Sequence, residues 1–246
     1  MNIIIIQARM GSTRLLGKVM KKIRNKPMFY YIINQVKASK KADDVVVATT
    51  TLKEDDEIAS YAESLGVKVY RGSELDVLDR FYNCMKEQKA KTIIRLCADS
   101  PFIDFNIIDD CITKFEKSDV DYLSNTIKKI DGKWVEGKNG FPIGLAVEVF
   151  THDSLVKAWQ KGKKPSDREH VTEYIFHNPD DFRLEGISNN EELGDMRLVV
   201  DYLEDFELAE KIIGSFDENE LFTMEKLKEF LNKNLDLKLI NSMHKK

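Results

Sequence analysis

A segment near the N-terminus has the composition of a phosphate-binding loop. It reads Gln7-Ala8-Arg9-Met10-Gly11-Ser12-Thr13-Arg14-Leu15-Leu16-Gly17-Lys18. Its cations, Arg9, Arg14 and Lys18, can neutralise a triphosphate, and an arginine can bind two phosphate oxygens at once. Gly11 lets the backbone approach a ligand closely, and the hydroxyl and backbone N–H groups beside it can complete an anion nest. The spacing matches neither a Walker A loop nor a Rossmann GxGxxG motif, and a solvated basic surface loop is the alternative interpretation.

Two aspartates, Asp99 and Asp201, directly follow apolar runs that read as buried strands. Because the carboxyl ends of parallel strands meet at one edge of a sheet, the two carboxylates could meet in one crevice. Mg²⁺ prefers hard oxygen ligands and keeps waters and substrate phosphates in its shell, so two carboxylates suit it. The alternative is that each aspartate caps the helix that follows it. Asp104 and Asp205 stand nearer to those helices and are the better candidates for caps.

The elements that must position these residues follow a repeating pattern. Strand, loop and helix alternate through the first 116 residues, with apolar strands at residues 3–6, 45–48, 67–70 and 92–97. This alternation predicts an α/β fold with a mostly parallel central sheet and helices on both faces. In such sheets ligands bind beyond the carboxyl ends of the strands. The loop 7–18 and Asp99 both fall at such an end.

The pattern changes after Val120. Turn signals on both sides of Lys133-Trp134-Val135 predict a hairpin insertion at about 126-142, an exposed element of the kind that serves interfaces. Residues 145–150 and 197–200 read as strands, and residues 168–176 read as a helix. No linker or repeat interrupts the chain, which favours a single domain over residues 1-246.

The composition excludes several classes of function. The formal net charge of -4 and the pI near 5.7 argue against general binding to nucleic acid or to an anionic membrane. No stretch approaches the roughly 20 apolar residues that a membrane helix needs. The cysteines, Cys84, Cys97 and Cys111, lack metal-ligand spacing and read as reduced thiols. We therefore predict a cytoplasmic protein that binds neither nucleic acid nor membranes.

The loop 7–18 resembles the signature of the cytidylyltransferases that activate acidic sugars such as KDO and acylneuraminate. The resemblance is closest to the branch of spore coat polysaccharide biosynthesis protein F, in which the loop reads QARMGSTRLPGKVL. This chain has Leu16 where proline is usual and Met20 in place of leucine, and neither change removes a charged or donor group. The resemblance extends from Asn2 to about Ile213. It implies the nucleotide-diphospho-sugar transferase-like fold.

The resemblance also implies roles for the loop and for the two aspartates. Arg14 and Lys18 would hold the phosphates and, with Asp99, form the catalytic group. Asp99 and Asp201 match the first aspartates of two family patterns, RLTADCPLID-like and VDTPEDLE-like, which bind the metal, here Mg²⁺. Residues 71–81 resemble the family's GSEDDVLDRY segment beside the nucleotide, although helix capping by Ser73 or Asp76, with a solvated Arg80, is the alternative. The predicted nucleotide-binding residues are Gln7, Ala8, Arg9, Gly11, Ser12, Thr13, Asp76 and Arg80.

Two further segments resemble the acceptor side of the family's site. Residues 141–150 resemble a YPxGLDVEVF strand, in which Glu148 would face the acceptor pocket. Residues 166–175 resemble an EREHVTxYI helix, in which Arg168 and His170 could bind an anionic acceptor group. Ala146 stands where aspartate is usual. That departure changes the acceptor, a metal contact or both.

These features predict a magnesium-dependent nucleotidyltransferase. It would transfer CMP from CTP to a sugar-like, acidic acceptor and release pyrophosphate, for the biosynthesis of surface polysaccharide or glycan. Family members commonly dimerise through an inserted hairpin, so the resemblance implies a homodimer. One alternative is a nucleotide-sugar-dependent glycosyltransferase, because Asp119-Val120-Asp121 matches a DxD metal motif. Another is a non-catalytic nucleotide-binding protein, which Ala146 suggests.

Overall fold

The protein alternates strands and helices through residue 117 and becomes less regular beyond it. The computed structural model describes residues 1–137, 139–191, 193–194 and 196–244. Its strands are β1 (Asn2–Gln7), β2 (Lys22–Ile23), β3 (Lys26–Pro27), β4 (Asp44–Thr50), β5 (Lys68–Gly72), β6 (Thr92–Cys97), β7 (Tyr122–Ser124), β8 (Ile127–Ile130), β9 (Lys133–Glu136), β10 (Glu148–Thr151) and β11 (Leu184–Gly186). Its α-helices are α1 (Met28–Val36), α2 (Asp56–Ser64), α3 (Val77–Gln88), α4 (Phe105–Lys117), α5 (His152–Lys161), α6 (Pro165–Glu169), α7 (Glu173–Phe176), α8 (Leu203–Ser215) and α9 (Met224–Lys233). None of these described helices is long and apolar enough to cross a bilayer.

Seven strands form one central sheet in the order β11-β7-β10-β6-β1-β4-β5. The β1 strand pairs in parallel with β4 and β6, and β4 pairs in parallel with β5. Of the strands described in this sheet, β10 runs against its neighbours, β6 and β7. The mostly parallel α/β fold predicted from the sequence is confirmed. The crossovers between parallel strands place the carboxyl ends of β1 and β6 side by side.

The core lies on both faces of this sheet, which explains the continuous apolar runs of its central strands. Ile4 and Ile6 of β1 pack on the face that α1, α4 and α8 cover, whereas Ile3 and Ile5 pack on the face of α3 and α5. All four side chains are fully buried. Because successive side chains of a strand point to opposite faces, only a strand covered on both sides is apolar at every position.

The chain departs from its predicted elements around β10 and beyond. The predicted helix 168–176 is divided into α6 and α7, because Val171 between them has a φ of 58° and cannot continue a right-handed helix. The predicted strand 197–200 is an extended segment with one bridge, between Ile143 and Arg197. Of the predicted strand 145–150, the paired part begins only at Glu148. An apolar run indicates that a segment is buried. It does not indicate whether a neighbouring strand is available for backbone hydrogen bonding.

The predicted insertion at about 126-142 contains a two-stranded hairpin of β8 and β9. Trp134 of this hairpin packs against the core on the α3 side of the sheet. Lys138, which belongs to the predicted insertion, lies outside the described residues. The role of the hairpin in dimerisation stays a prediction.

Candidate active site

An open cleft of about 340 Å³ lies at the carboxyl ends of β1 and β6. Parallel sheets bind ligands at this edge because the loops that leave the strands converge there. The cleft brings together most of the residues that the sequence singled out. They are Gln7, Ala8, Arg9, Gly11, Ser12, Thr13, Arg14, Lys18, Arg80, Asp99, His170 and Asp201.

The loop after β1 is anchored by the buried carboxylate of Asp55. Its Oδ1 accepts a hydrogen bond from the backbone N–H of Met10 at 2.7 Å, and its Oδ2 accepts one from the hydroxyl of Thr50. Gly17, with a φ of 61°, turns the chain through the left-handed region just before Lys18. A Cβ added at Gly11 would meet side chains only at 3.6 Å or more, an ordinary contact distance. The packing of the protein therefore does not by itself require glycine at position 11.

The ammonium group of Lys18 joins the two predicted metal ligands. Its Nζ donates to Asp99 Oδ2 at 2.9 Å, to Asp201 Oδ1 at 2.9 Å and to the backbone O of Val200 at 2.8 Å. Lys18 is only 9% exposed. Burial opposes its charge, but the two carboxylates raise its pKa above the ordinary value. The three N–H donors are thus in use, and they hold both carboxylates around one cation.

The segment 197–200 brings Asp201 beside Asp99 without forming a sheet strand. The backbone N–H of Val200 donates to the backbone O of Asp99 at 2.8 Å. A Cβ on Gly144, whose φ is 105°, would lie 2.3 Å from the backbone N of Val199. Only glycine permits this close approach. The position of the Asp201 carboxylate therefore depends on a backbone contact with Gly144, which cannot be predicted from the residues of segment 197–200.

Three cations surround the carboxylate of Asp201. Its Oδ1 lies 2.9 Å from Lys18 Nζ and 3.2 Å from Arg14 Nη2, and its Oδ2 lies 3.1 Å from Arg197 Nη2. Burial disfavours ionisation of Asp201, but the hydrogen bond and the charge of Lys18, followed by the charge of Arg14, lower its pKa below the ordinary value. The carboxylate is therefore ionised at neutral pH.

The side chains around Lys18 fit a Mg²⁺ ion that arrives with a nucleotide triphosphate. Asp99 and Asp201 offer hard carboxylate oxygens, and a cluster of three or more His, Cys, Asp or Glu side chains suited to a metal is absent from the described residues. Mg²⁺ commonly takes one or two protein carboxylates and completes its shell with phosphate oxygens and water. Two carboxylates in a cationic cleft match that pattern.

Arg80 lines the cleft with a guanidinium group that is incompletely satisfied. It is 2% exposed, and its Nη1 donates to the backbone O of Ser73 at 3.0 Å. Among the residues that the structure describes, its buried Nε has no hydrogen-bond partner. Burial, and then the charge of Arg9, lower the pKa of Arg80 to about 10, so the group keeps its charge at neutral pH. A buried donor without a partner costs about 1–3 kcal/mol.

Arg95 lines the cleft from the middle of β6, although the sequence analysis did not select it. Its Nη1 donates to Glu148 Oε2, and its Nε donates to Gln7 Oε1 at 3.1 Å. Glu148 also accepts from the hydroxyl of Tyr122 at 2.7 Å and from that of Thr172. The predicted acceptor residue Glu148 therefore holds Arg95 rather than lining the cleft itself. A charge inside an apolar strand was the available signal, because a buried charge needs a partner.

Glu169 and His170 reach the cleft at the end of α6. Val171, which follows, is fully buried and has a φ of 58°, a conformation that β-branched residues rarely adopt. The same turn directs the hydroxyl of Thr172 to Glu148. The break between α6 and α7 therefore places His170 at the cleft and Thr172 beside the ion pair of Glu148 and Arg95.

Asp76 and Arg168 lie outside the cleft lining, where they bond to each other. Asp76 Oδ1 accepts from the backbone N–H of Asp79 at 2.8 Å and so caps α3. Asp76 Oδ2 accepts from Arg168 Nε at 2.9 Å. The structure thus gives Asp76 the alternative role, a helix cap, and gives Arg168 a contact with that cap. This contact ties α6 to α3, the helices that lead His170 and Arg80 to the cleft.

Positive charge prevails in the cleft of this otherwise acidic protein. A cleft lined by one sign of charge concentrates ligands of the opposite sign, which suits a triphosphate. The cationic side chains in the lining are Arg9, Arg14, Lys18, Arg80 and Arg95, and the carboxylates are Asp99, Glu169 and Asp201.

The chain is similar to known proteins in sequence and in fold. The family model described as cytidylyltransferase matches residues 3–237. An uncharacterised protein of Methanocaldococcus jannaschii is 40% identical over 240 residues, which cover 97% of this chain and 93% of the relative. Spore coat polysaccharide biosynthesis protein SpsF of Bacillus subtilis is 31% identical over 241 residues, 94% of each chain. The solved structure of a cytidylyltransferase from Leptospira borgpetersenii is 31% identical, with a TM-score of 0.88 over 96% of this chain and 95% of its own.

The family match includes every part of the cleft. The matched residues contain the loop after β1, Arg80, Asp99 and Asp201. Sequence identity and fold agree with the relatives over nearly the whole chain, so the likeness is not confined to a common sheet. The protein is therefore a nucleotidyltransferase that belongs to the cytidylyltransferase family.

Proposed function

We propose that the protein transfers CMP from CTP to a sugar-like, acidic acceptor and releases pyrophosphate, with Mg²⁺ as cofactor. The observation that carries this proposal is one cleft in which the cationic loop meets Asp99 and Asp201 around Lys18. Membership of the cytidylyltransferase family supports CTP as the donor. The name of the Bacillus subtilis relative supports a role in the biosynthesis of surface polysaccharide or glycan.

The reaction joins an acceptor oxygen to the α-phosphorus and breaks its bond to pyrophosphate, so charge must be stabilised on the phosphate oxygens. Arg14 and Lys18 bring fixed positive charge to these oxygens. Mg²⁺, held by Asp99 and Asp201, would neutralise further phosphate charge. Lys18 and Arg197 already hold the two carboxylates in place before the substrate enters.

We assign the acceptor contacts to Arg95, Glu169 and His170, which line the cleft outside the phosphate loop. Beyond the N–H groups that Glu148 and Gln7 accept, the guanidinium of Arg95 has further donors that can bind a carboxylate, and this supports an acidic acceptor. Glu148 would act on the acceptor through Arg95, whose guanidinium it holds.

A thermal-shift titration of CTP, UTP, GTP and ATP, each with and without Mg²⁺, tests the proposal. We expect selective stabilisation by CTP that is stronger with Mg²⁺, since a ligand at 100 times its Kd adds about 2.7 kcal/mol to the free energy of unfolding. Stabilisation by nucleotide-sugars or diphosphates, but not by triphosphates, would favour a glycosyltransferase instead. The absence of a shift with any nucleotide would contradict the proposal.

Replacing Arg80 by methionine should make the free protein more stable and the CTP complex weaker. Methionine fills a similar volume without the unpaired buried donor, so we expect the free energy of unfolding to rise by about 1 kcal/mol. We expect the Kd of CTP to rise by about tenfold, because one charge-assisted hydrogen bond is worth about 1.5–3 kcal/mol. Urea unfolding and calorimetric titration measure the two effects. Lys86→Met, at an exposed position of α3, is the control and should change neither; unaltered CTP binding by Arg80→Met would refute the contact.

The DxD motif lies at a sheet edge and bonds to Arg183. Asp121 accepts from the backbone N–H of Arg183 at 2.8 Å and from its Nη2 at 3.0 Å, and Asp119 pairs with the same guanidinium. The motif thereby joins the start of β7 to that of β11, away from the residues that line the cleft in the described chain. This placement gives it a structural role.

Asp121→Asn should leave pyrophosphate release unchanged and lower stability slightly. Hydrogen bonds from Arg183 hold the pKa of Asp121 below its ordinary value. A carboxyl with a lowered pKa stabilises the folded state above its unfolded pKa, about 3.9, and this contribution is lost as the pH falls through the folded pKa. Solvent screening limits the loss near pH 7 to about 0.5 kcal/mol. Urea unfolding from pH 2.5 to 7 should show parent and variant converging in acid; a large loss of pyrophosphate release would contradict the structural role of the motif.

A further inference from the structure

The C-terminal segment places a buried amide beside the cleft. The segment contains two short 3-10 turns, Leu237–Leu239 and Ser242–His244. Asn241 between them is 1% exposed, and its Nδ2 donates to Asp205 Oδ1 at 2.9 Å and to the backbone O of Arg197 at 3.0 Å. A buried amide with two donated hydrogen bonds fixes the groups that accept them.

Asp205 connects Asn241 to Asp201. Its Oδ2 accepts from the backbone N–H of Asp201 at 3.0 Å, so it holds the main chain at the predicted metal ligand. It also binds Arg197, from Nε to Oδ1 at 2.9 Å and from Nη2 to Oδ2 at 3.0 Å. The same Nη2 lies 3.1 Å from Asp201 Oδ2. Backbone and carboxylate of Asp201 are therefore both held by groups that Asn241 touches.

A second contact runs from the same segment to the phosphate loop. The ring of His244 stacks on that of Tyr202, with centroids 3.8 Å apart and planes 6° from parallel. The guanidinium of Arg14 lies over the Tyr202 ring at 5.2 Å. His244 Nε2 is also 3.1 Å from Glu204 Oε2, which keeps the imidazole in place. The stack thus gives the exposed Arg14 side chain a fixed surface beside Asp201.

We propose that the C-terminal segment 237–244 is a positioning element for the metal and phosphate side of the active site. Asn241 acts on Asp201 through Asp205 and Arg197, and His244 acts on Arg14 through Tyr202. Neither residue touches the reacting atoms, and both lie beyond residues 3–237, which the family model matches. The inference rests on the proposed function, because it concerns the binding of CTP with Mg²⁺.

The test compares CTP binding, by calorimetry with and without Mg²⁺, in the parent, Asn241→Ala, His244→Ala and His244→Phe. Groups that orient metal ligands typically change affinity by about 10- to 100-fold when they are removed. We expect Asn241→Ala to raise the Kd of CTP in Mg²⁺ by about tenfold and to raise it less without the ion, because Asn241 acts through Asp201. We expect His244→Ala to raise the Kd to a similar extent with and without the ion, because it acts through Arg14 on the phosphates. Phenylalanine keeps the stack on Tyr202, so His244→Phe should bind almost as the parent does. Lys233→Ala, whose side chain is 71% exposed on α9, is the control and should bind as the parent.

Two outcomes would overturn the inference while leaving the proposed function intact. One is parent-like binding by both alanine variants. The other is equal weakening by His244→Ala and His244→Phe, which would show that the stack has no role. If Asn241→Ala fails to fold, the two His244 variants decide, because that side chain is 20% exposed. A parent that does not bind CTP in Mg²⁺ would instead overturn the proposed function and this inference with it.

Discussion

Asp99→Asn should abolish magnesium-dependent turnover while the fold survives. Asp99 uses one carboxylate oxygen to accept from Lys18 and is 26% exposed to solvent. Asparagine keeps an oxygen for Lys18 but loses the charge that a Mg²⁺ ion needs. The ion supplies several kcal/mol of charge stabilisation, so we expect pyrophosphate release to fall at least about 100-fold. The stability should change by less than about 1 kcal/mol, because the ion pair is partly solvated.

The initial rate of pyrophosphate release over a range of Mg²⁺ concentrations measures this effect, and thermal unfolding checks the fold. The matched control is Asp119→Asn, which removes the same charge at a side chain that is 92% exposed and pairs with Arg183. The control should keep parental activity. Full magnesium-dependent activity in Asp99→Asn would contradict the assignment of Asp99 to the metal.

Lys18→Met should remove activity and yield a protein that Mg²⁺ stabilises against unfolding even in the absence of nucleotide. Lys18 is the cation that Asp99 and Asp201 share, so its removal leaves two neighbouring carboxylates without it. Breaking such a partly buried pair should lower the free energy of unfolding by about 2 kcal/mol. Loss of a fixed charge at the phosphates should lower turnover by about 100-fold or more. A divalent cation can then take the place of the ammonium group between the carboxylates.

The distinguishing measurement is thermal unfolding of parent and variant with and without Mg²⁺, in the absence of nucleotide. Lys18→Met should gain more from the ion than the parent does, because the ammonium group of the parent already occupies the carboxylates. Lys22→Met, at an exposed position on β2, is the control and should respond to the ion as the parent does. Equal responses of parent and Lys18→Met would contradict the shared site.

The loop 7–18 shows why part of the site could be predicted from the sequence. Its cations, its hydroxyls and the strand before it are contiguous, so a local pattern reports their common position. Asp99 could be predicted for the same reason, since it is close in the chain to the end of β6. Asp201 was selected for a strand that the structure does not form, and it reaches the cleft through the contact of segment 197–200 with Gly144.

The pairing of Arg95 with Glu148 could not be predicted from the sequence. The two residues lie on antiparallel neighbours, β6 and β10, whose pairing joins chain segments more than 50 residues apart. A prediction that assigned Glu148 to the acceptor pocket could not see that Arg95, Tyr122 and Thr172 occupy its oxygens. The pairing of Asp76 with Arg168 is a second case of this kind.

The sequence by itself determined the α/β class, the phosphate loop and the family, because periodicity and contiguous motifs are properties of neighbouring residues. Only the tertiary structure decided which charges face the cleft and which charges hold one another behind it. It placed Lys18 between two aspartates, broke the helix at Val171 to bring His170 to the cleft, and joined Asn241 to the residues around Asp201. These arrangements depend on hydrogen bonds between residues that are distant in the chain, and a buried charge is stable only where such partners meet it.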